Sequence, residues 1–140
     1  MKRICFFLVV IGFSLSLHSN SKFAWRNNAQ HIYGPTVNAK HFKGKVVFVE
    51  FWGINCPPCI AMMPHVEQMN RKYGGSGKFA VVASHVQGMN PRVKQYLKSK
   101  KFTFPVYQQF MPSGPNFRGI PHAYVYDHNG KLVGSGYPSK

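Results

Sequence analysis

A chain of 140 residues with 44% hydrophobic content has room for one domain that builds its own core. Its 18 Lys and Arg face only Glu50, Glu67 and Asp127, a formal charge of +15 that steers acidic partners toward it and fits a solubility field or an anionic surface. The basic residues are spread along the chain, with no dense block interleaved with aromatics, which excludes a nucleic-acid module.

Lys2 and Arg3 ahead of an apolar run over residues 5–17 read as a secretory leader, because the run is short for a bilayer span. Ser19-Asn20-Ser21 puts small residues before a cut at Lys22, so the expected division is a signal peptide over 1–21 and a domain over 22–140, with an uncleaved membrane anchor as the alternative. The expected location is periplasmic or secreted. Cys5 departs with the leader. The remaining Cys56 and Cys59 are an even pair that suits a cycling disulfide in an oxidising compartment and leaves no structural disulfide framework.

Residues 22–38 are mixed, with a turn at Tyr33-Gly34-Pro35 and a short edge strand predicted at Thr36-Val37. Residues 45–52 are apolar apart from Glu50, the pattern of a central strand covered on both faces, and residues 79–86 repeat it. Between them Ile60, Met63, Val66, Met69 and Tyr73 fall near helical spacing, so a helix is predicted over 60–73, ended by Gly74-Gly75-Ser76-Gly77. Asn90-Pro91 supplies an N-cap and a first-turn proline for a second crossover helix with Val93, Tyr96 and Leu97 on one stripe. A strand is predicted at 102–106, a loop rich in Pro and Gly at 111–119 and a strand at 123–126. Asp127-His128-Asn129-Gly130 then turns the chain into a last strand over 131–136.

Cys56-Pro57-Pro58-Cys59 lies at the junction of the first predicted strand and helix. Unpaired N–H groups and the helix dipole favour a thiolate there. Cys56 is therefore the candidate nucleophile, and Cys59, one turn later and more buried, the candidate resolving thiol. The two prolines restrict the backbone between them. Glu50, the only charge in its strand, is a candidate proton shuttle whose pKa burial would raise; the alternative is a structural acid paired with His85 or a lysine. Two thiolates also suit Cu(I) or zinc, so a metal-handling module is the competing class, but His65, His85 and His122 lack zinc-finger spacing and no metal site is predicted. Met62 and Met63 read as core fillers, and His31, His41 and His128 as solvated loop residues.

From about Thr36 onward the chain resembles the thioredoxin superfamily, and within it the exported TlpA/ResA-like thiol-disulfide oxidoreductases. Phe51-Trp52-Gly53-Ile54-Asn55-Cys56-Pro57-Pro58-Cys59, Pro64 in the following helix, and Gly119-Ile120-Pro121 ahead of the Asn-Gly hairpin carry the likeness. It implies an α/β, thioredoxin-like fold with a central mixed sheet flanked by helices and a C-terminal hairpin. It also implies a cis Ile120-Pro121 bond against the disulfide, with the Ile120 backbone exposed to pair with an extended peptide. Trp52, Pro57, Ile120 and Pro121 are then the candidate substrate-binding residues, and Glu50 stands behind the second cysteine.

The implied activity is an exported oxidoreductase that reduces protein disulfides in the envelope or in secreted proteins, is recharged by an upstream thiol donor and needs no cofactor; a disulfide oxidase or isomerase would use the same residues. Two departures are visible. Asn55 stands where the resemblance implies Trp in most relatives, and the chain stops at Tyr137-Pro138-Ser139-Lys140 without the family's usual final helix, so either the sequence is a truncated form or one apolar face of the hairpin needs another cover.

Overall fold

The computed structural model of the chain describes residues 21–25 and 28–138, so the expected signal peptide lies outside the described residues except for Ser21. Among those described, no helix is long and apolar enough to cross a membrane.

The chain runs β1 (Gln30–Tyr33), α1 (Ala39–Phe42), β2 (Val46–Trp52), α2 (Pro57–Tyr73), β3 (Phe79–His85), α3 (Pro91–Lys100), β4 (Val106–Gln108), β5 (His122–Tyr126) and β6 (Leu132–Gly136). These strands form one six-stranded mixed sheet in the order β1-β4-β3-β2-β5-β6. β2 lies at its centre, parallel to β3 and antiparallel to β5. Alternation along the central strands sends one set of side chains to each face. On one face Trp52, Val81 and Ala83 meet Cys59, Met63 and Val66 of α2 and Val93 and Leu97 of α3. On the other, Val47, Val49, Phe51 and Val82 pack with Phe42, Phe110, Tyr124 and Tyr126.

Described residues from outside the sheet cover that second face. An aromatic segment ahead of β1 supplies part of the cover: Phe23 lies 5.2 Å from Tyr126 ring to ring, and Trp25 stacks on Phe42 at 5.1 Å. The rest comes from the loop before β5, where Phe117 packs 4.7 Å from Phe51 and the hydroxyls of Tyr124 and Tyr126 donate to the carbonyls of Pro115 and Ser113. β6 is the last element among the described residues, and its Val133 remains exposed.

The local signals for α3 operate as read: Asn90 caps it by accepting from the Arg92 N–H, and Pro91 opens it. α2 begins earlier than predicted, at Pro57, because Cys56 itself is the N-cap. Pro64 removes the N–H that would bond the Ile60 carbonyl, and the Tyr96 hydroxyl reaches that carbonyl at 3.5 Å. The last turn matches its signal: the Asp127 carboxylate accepts from the N–H groups of Asn129 and Lys131, with Gly130 at positive φ.

Three expectations are corrected. The edge strand is β1, not Thr36-Val37: Val37 donates to the Tyr107 hydroxyl at 3.0 Å and accepts from it at 3.1 Å, so a side chain takes the place of a strand partner. The strand predicted at 102–106 begins only at Val106, since Pro105 has no N–H and the Thr103 N–H is held by the Glu67 carboxylate at 2.9 Å. His31 lies on β1 and His41 on α1, rather than in loops.

Gly34 and Gly44 both take positive φ, but a side chain at Gly34 would meet the Phe104 carbonyl oxygen at 2.3 Å while one at Gly44 would enter open space. Gly44→Ala is expected to destabilise the fold by about 1 kcal/mol, the left-handed backbone penalty alone, and Gly34→Ala by ~3 kcal/mol or more because the clash adds to it. Urea denaturation of the two variants checks the difference.

Candidate active site

β2 is buried on both sides, and its chain leaves the sheet only at Trp52, reaching the N-cap of α2, Cys56, four residues later. The turn is held from below by the end of β3. The Ile54 N–H donates to His85 Nε2 at 3.3 Å, and the Asn55 N–H donates to the Gln87 side-chain oxygen at 2.9 Å. A Cβ on Gly53 would stand 2.3 Å from the Gln87 side chain, so glycine permits this close approach. Since His85 Nε2 faces a backbone N–H, it is the acceptor, and the ring's proton sits on Nδ1, which donates to Gln108 Oε1 at 3.1 Å. Gln108 in turn donates to the Gln87 carbonyl at 2.7 Å. Burial lowers the His85 pKa and keeps the ring in this neutral form, against the upward pull of its hydrogen bonds to Gln108 and Gln87.

This support places Cys56 at the N-cap of α2, joined in a disulfide to Cys59 with the Cα atoms 5.2 Å apart. The Cys59 N–H donates to Cys56 Sγ at 3.3 Å, so the first sulfur takes the role that a Ser or Asp oxygen plays at other helix starts. The two sulfurs are not equivalent. Cys56 retains 8% exposure and Cys59 none.

The loop between β4 and β5 meets this pair from the other side. The Ile120-Pro121 bond is cis, and Cys56 Sγ lies 3.7 Å from the Ile120 carbonyl oxygen. Ile120 is half-buried, Pro121 buried and Pro57 exposed. Beside them Phe117 stacks on His122 at 4.6 Å with the rings 9° apart.

The candidate residues therefore divide. Cys56, Cys59, Pro57, Ile120 and Pro121 come together around the disulfide. Trp52, expected among the substrate contacts, is instead fully buried, packed 5.0 Å from the His85 ring, because the strand carries it under the turn; it supports the site from beneath. Glu50 is also fully buried, and alternation turns it to the side of the sheet where Trp52 and Cys59 lie. Neither Glu50 oxygen has a hydrogen-bond partner among the described residues, and desolvation pushes its pKa up to about 8. The alternative of a Glu50–His85 pair is not formed, since both ring nitrogens of His85 are engaged elsewhere.

His85, Gln87 and Gln108 were missed as site residues: they lie far along the chain from Ile54, and only the parallel pairing of Trp52 with His85 brings them under the turn. Arg92 was missed because it too lies far along the chain; it donates to the Asn55 side chain at 3.2 Å and sets a cation beside the residue that precedes Cys56. Among the described residues no group of three or more His, Cys, Asp or Glu is gathered for a metal, so an ion on the two thiolates would find no third ligand of these types there.

Comparison with known proteins places this geometry. The chain is 30% identical over 106 residues to the thiol-disulfide oxidoreductase ResA of Bacillus cereus, a match covering 71% of this chain and 59% of that protein. It is 26% identical over 110 residues to ResA of Halalkalibacterium halodurans, covering 74% and 60%. The chain thus spans about three fifths of the length of these curated relatives. Among solved structures, a thiol:disulfide interchange protein of the thioredoxin family from Chlorobium tepidum superimposes with a TM-score of 0.67 at 26% identity, covering 82% of this chain and 84% of that one. A thiol-disulfide isomerase from Corynebacterium glutamicum, at 19% identity and 88% coverage of each chain, shares the fold with a TM-score of 0.68. The Redoxin family model matches residues 28–135, which contain the whole sheet up to β6 together with the disulfide and the cis-proline loop, and the chain accordingly belongs to the Redoxin family as a TlpA/ResA-like member of the thioredoxin superfamily.

Proposed function

We propose that this protein is an exported thiol-disulfide oxidoreductase that reduces disulfides in envelope or secreted proteins. The observation that carries the reading is the Cys56–Cys59 disulfide at the start of α2, its outer sulfur partly exposed beside the Ile120 carbonyl. Export is supported by Lys2, Arg3 and the apolar run over residues 5–17.

In the reduced protein the Cys56 thiolate, favoured by the Cys59 N–H and the α2 dipole, attacks one sulfur of a partner disulfide. The partner's S–S bond breaks, its second sulfur leaves as a thiolate that takes a proton from water, and a mixed disulfide joins Cys56 to the partner. Cys59 then loses its proton and attacks Cys56 Sγ. The partner leaves reduced and the Cys56–Cys59 bond re-forms, so two electrons have passed from this protein to the partner. An extended substrate segment pairs with the Ile120 backbone, and Pro57 and Pro121 shape the surface around the sulfurs.

In this reading the ionised form of Glu50, a minor fraction near neutral pH, receives the Cys59 proton. A carboxyl at about 8 lies close to the ordinary thiol range, so a proton passes between the two groups at little free-energy cost in either direction. An upstream thiol donor returns the pair to the dithiol.

Two outcomes are expected. Between pH 4.5 and about 8 the folded protein holds a Glu50 proton that the unfolded chain releases, so stability present at low pH is lost as pH rises through that window and levels off above it. Glu50→Gln removes this dependence and is more stable than the parent at pH 9 by on the order of 4 kcal/mol relative to their difference at pH 4, measured by denaturant unfolding at each pH.

Cys59→Ser is expected to lose turnover on a disulfide-bonded peptide by at least ~1000-fold while accumulating a mixed disulfide through Cys56, located by mass spectrometry. A stable adduct formed only through Cys59, in Cys56→Ser, would reverse the assigned roles.

A further inference from the structure

The fold sorts the positive charge by its distance from the disulfide. β2 and β3 both start at the end of the molecule opposite Cys56, and Lys45 and Lys78 immediately precede them. Lys131, in the turn before β6, bridges Lys22 at that same end, while α2 and α3 finish there with Arg71, Lys72, Lys98 and Lys100 in their last turns. Near the disulfide, by contrast, stand Arg92 and Lys94 at the start of α3 and Arg118 in the loop before Ile120. Acidic groups do not balance the basic end. Asp127 is tied to the N–H groups of Asn129 and Lys131, and Glu67 is paired with Arg71 at 2.6 Å.

A cavity of about 500 Å³ opens on this end, with Phe23, Trp25 and Phe42 as its apolar lining and Lys40, Lys43 and Lys45 at its rim. Phe23 and Trp25 are half-buried, and Lys40 and Lys43 are exposed. The positive field is felt by His41, whose pKa is lowered first by burial and then by Lys45. Ser21, the first described residue, lies at this end as well, since the Leu132 N–H donates to its carbonyl at 3.0 Å.

We propose that this end is a docking face for a bilayer surface rich in anionic lipid headgroups, with Lys40, Lys43 and Lys45 contacting the headgroups and Trp25 entering the interface. A lysine held within a Debye length of such a surface is attracted to it, and an amphipathic indole ring favours the boundary between headgroups and acyl chains. The geometry then points the disulfide away from the membrane, toward soluble partners. This face is independent of the redox reading, since it requires neither cysteine.

The test uses the full oxidised chain and two vesicle types, phosphatidylcholine alone and phosphatidylcholine with 30% phosphatidylglycerol, in a flotation assay. Two doubly substituted variants of equal net charge are compared, Lys40→Gln with Lys43→Gln and Lys94→Gln with Arg118→Gln. Because the leader is common to all of them, a difference between the two variants reports on the face. The parent is expected to bind the anionic vesicles, with binding weakened by added salt. The first variant is expected to lose on the order of 25-fold in affinity, about fivefold per lysine, and the second less than threefold. Brominated acyl chains should quench the fluorescence of the parent but not of Trp25→Phe, whose remaining Trp52 is buried. Equal losses in both variants, or equal binding to both vesicle types, would overturn the proposal. Displacement by polyglutamate together with no quenching of Trp25 would overturn it in favour of an acidic protein partner.

Discussion

A backbone N–H pointing at a buried imidazole governs the site. β2 is hydrogen-bonded to strands on both sides and buried on both faces, so its chain must turn from sheet to helix within a few residues while every polar backbone group finds a partner. His85 and Gln87 supply acceptors for two successive N–H groups of that turn, and they do so only because the parallel register sets His85 opposite Trp52. With the turn fixed, Cys56 falls at the helix N-cap and Cys59 one turn deeper. A charged imidazole would set one donor against another, so the low pKa that burial gives His85 is a condition for keeping the first cysteine in place.

Glu50 is a second buried titratable group with the opposite fate. Its carboxyl has no partner among the described residues and sits on the sheet face shared with Trp52 and Cys59, so the neutral acid is the form the fold accepts. An apolar residue at this position would pack without that penalty, and the chain instead keeps an acid whose ionisation works against folding near neutral pH. The contrast with Glu67 is instructive. Glu67 is nearly as buried, but it accepts from the Thr103 N–H and hydroxyl and pairs with Arg71, which is how a structural carboxylate is satisfied.

What could be read from the sequence was what depends on near neighbours. Asn90 and Pro91 start α3 by contacts within the first turn, Asp127 organises its own turn, and the apolar runs around Val49 and Val82 can be buried only as central strands. The rest depends on partners far away in the chain. Val37 looked like a strand residue because its own preference is extended, yet its N–H and carbonyl are claimed by Tyr107, 70 residues later. Phe23 and Trp25 gave no periodic signal, and their place over the second core emerges only once Phe42, Phe110 and Tyr126 are assembled beneath them. At the site, the thiol pair and Ile120-Pro121 were legible through the resemblance, whereas the His85, Gln87 and Gln108 support was not, since no local pattern links those side chains to Ile54.

The stitching of the first described residues onto the last hairpin has a mechanical consequence. The Leu132 N–H holds the Ser21 carbonyl, the Phe23 N–H holds that of Gly130 at 2.7 Å, and Lys22 bridges Lys131. Tension arriving through the N-terminal segment is therefore borne first by the β5–β6 hairpin at the sheet's edge, and the α2 start is shielded from the load by the whole breadth of β2 and β5.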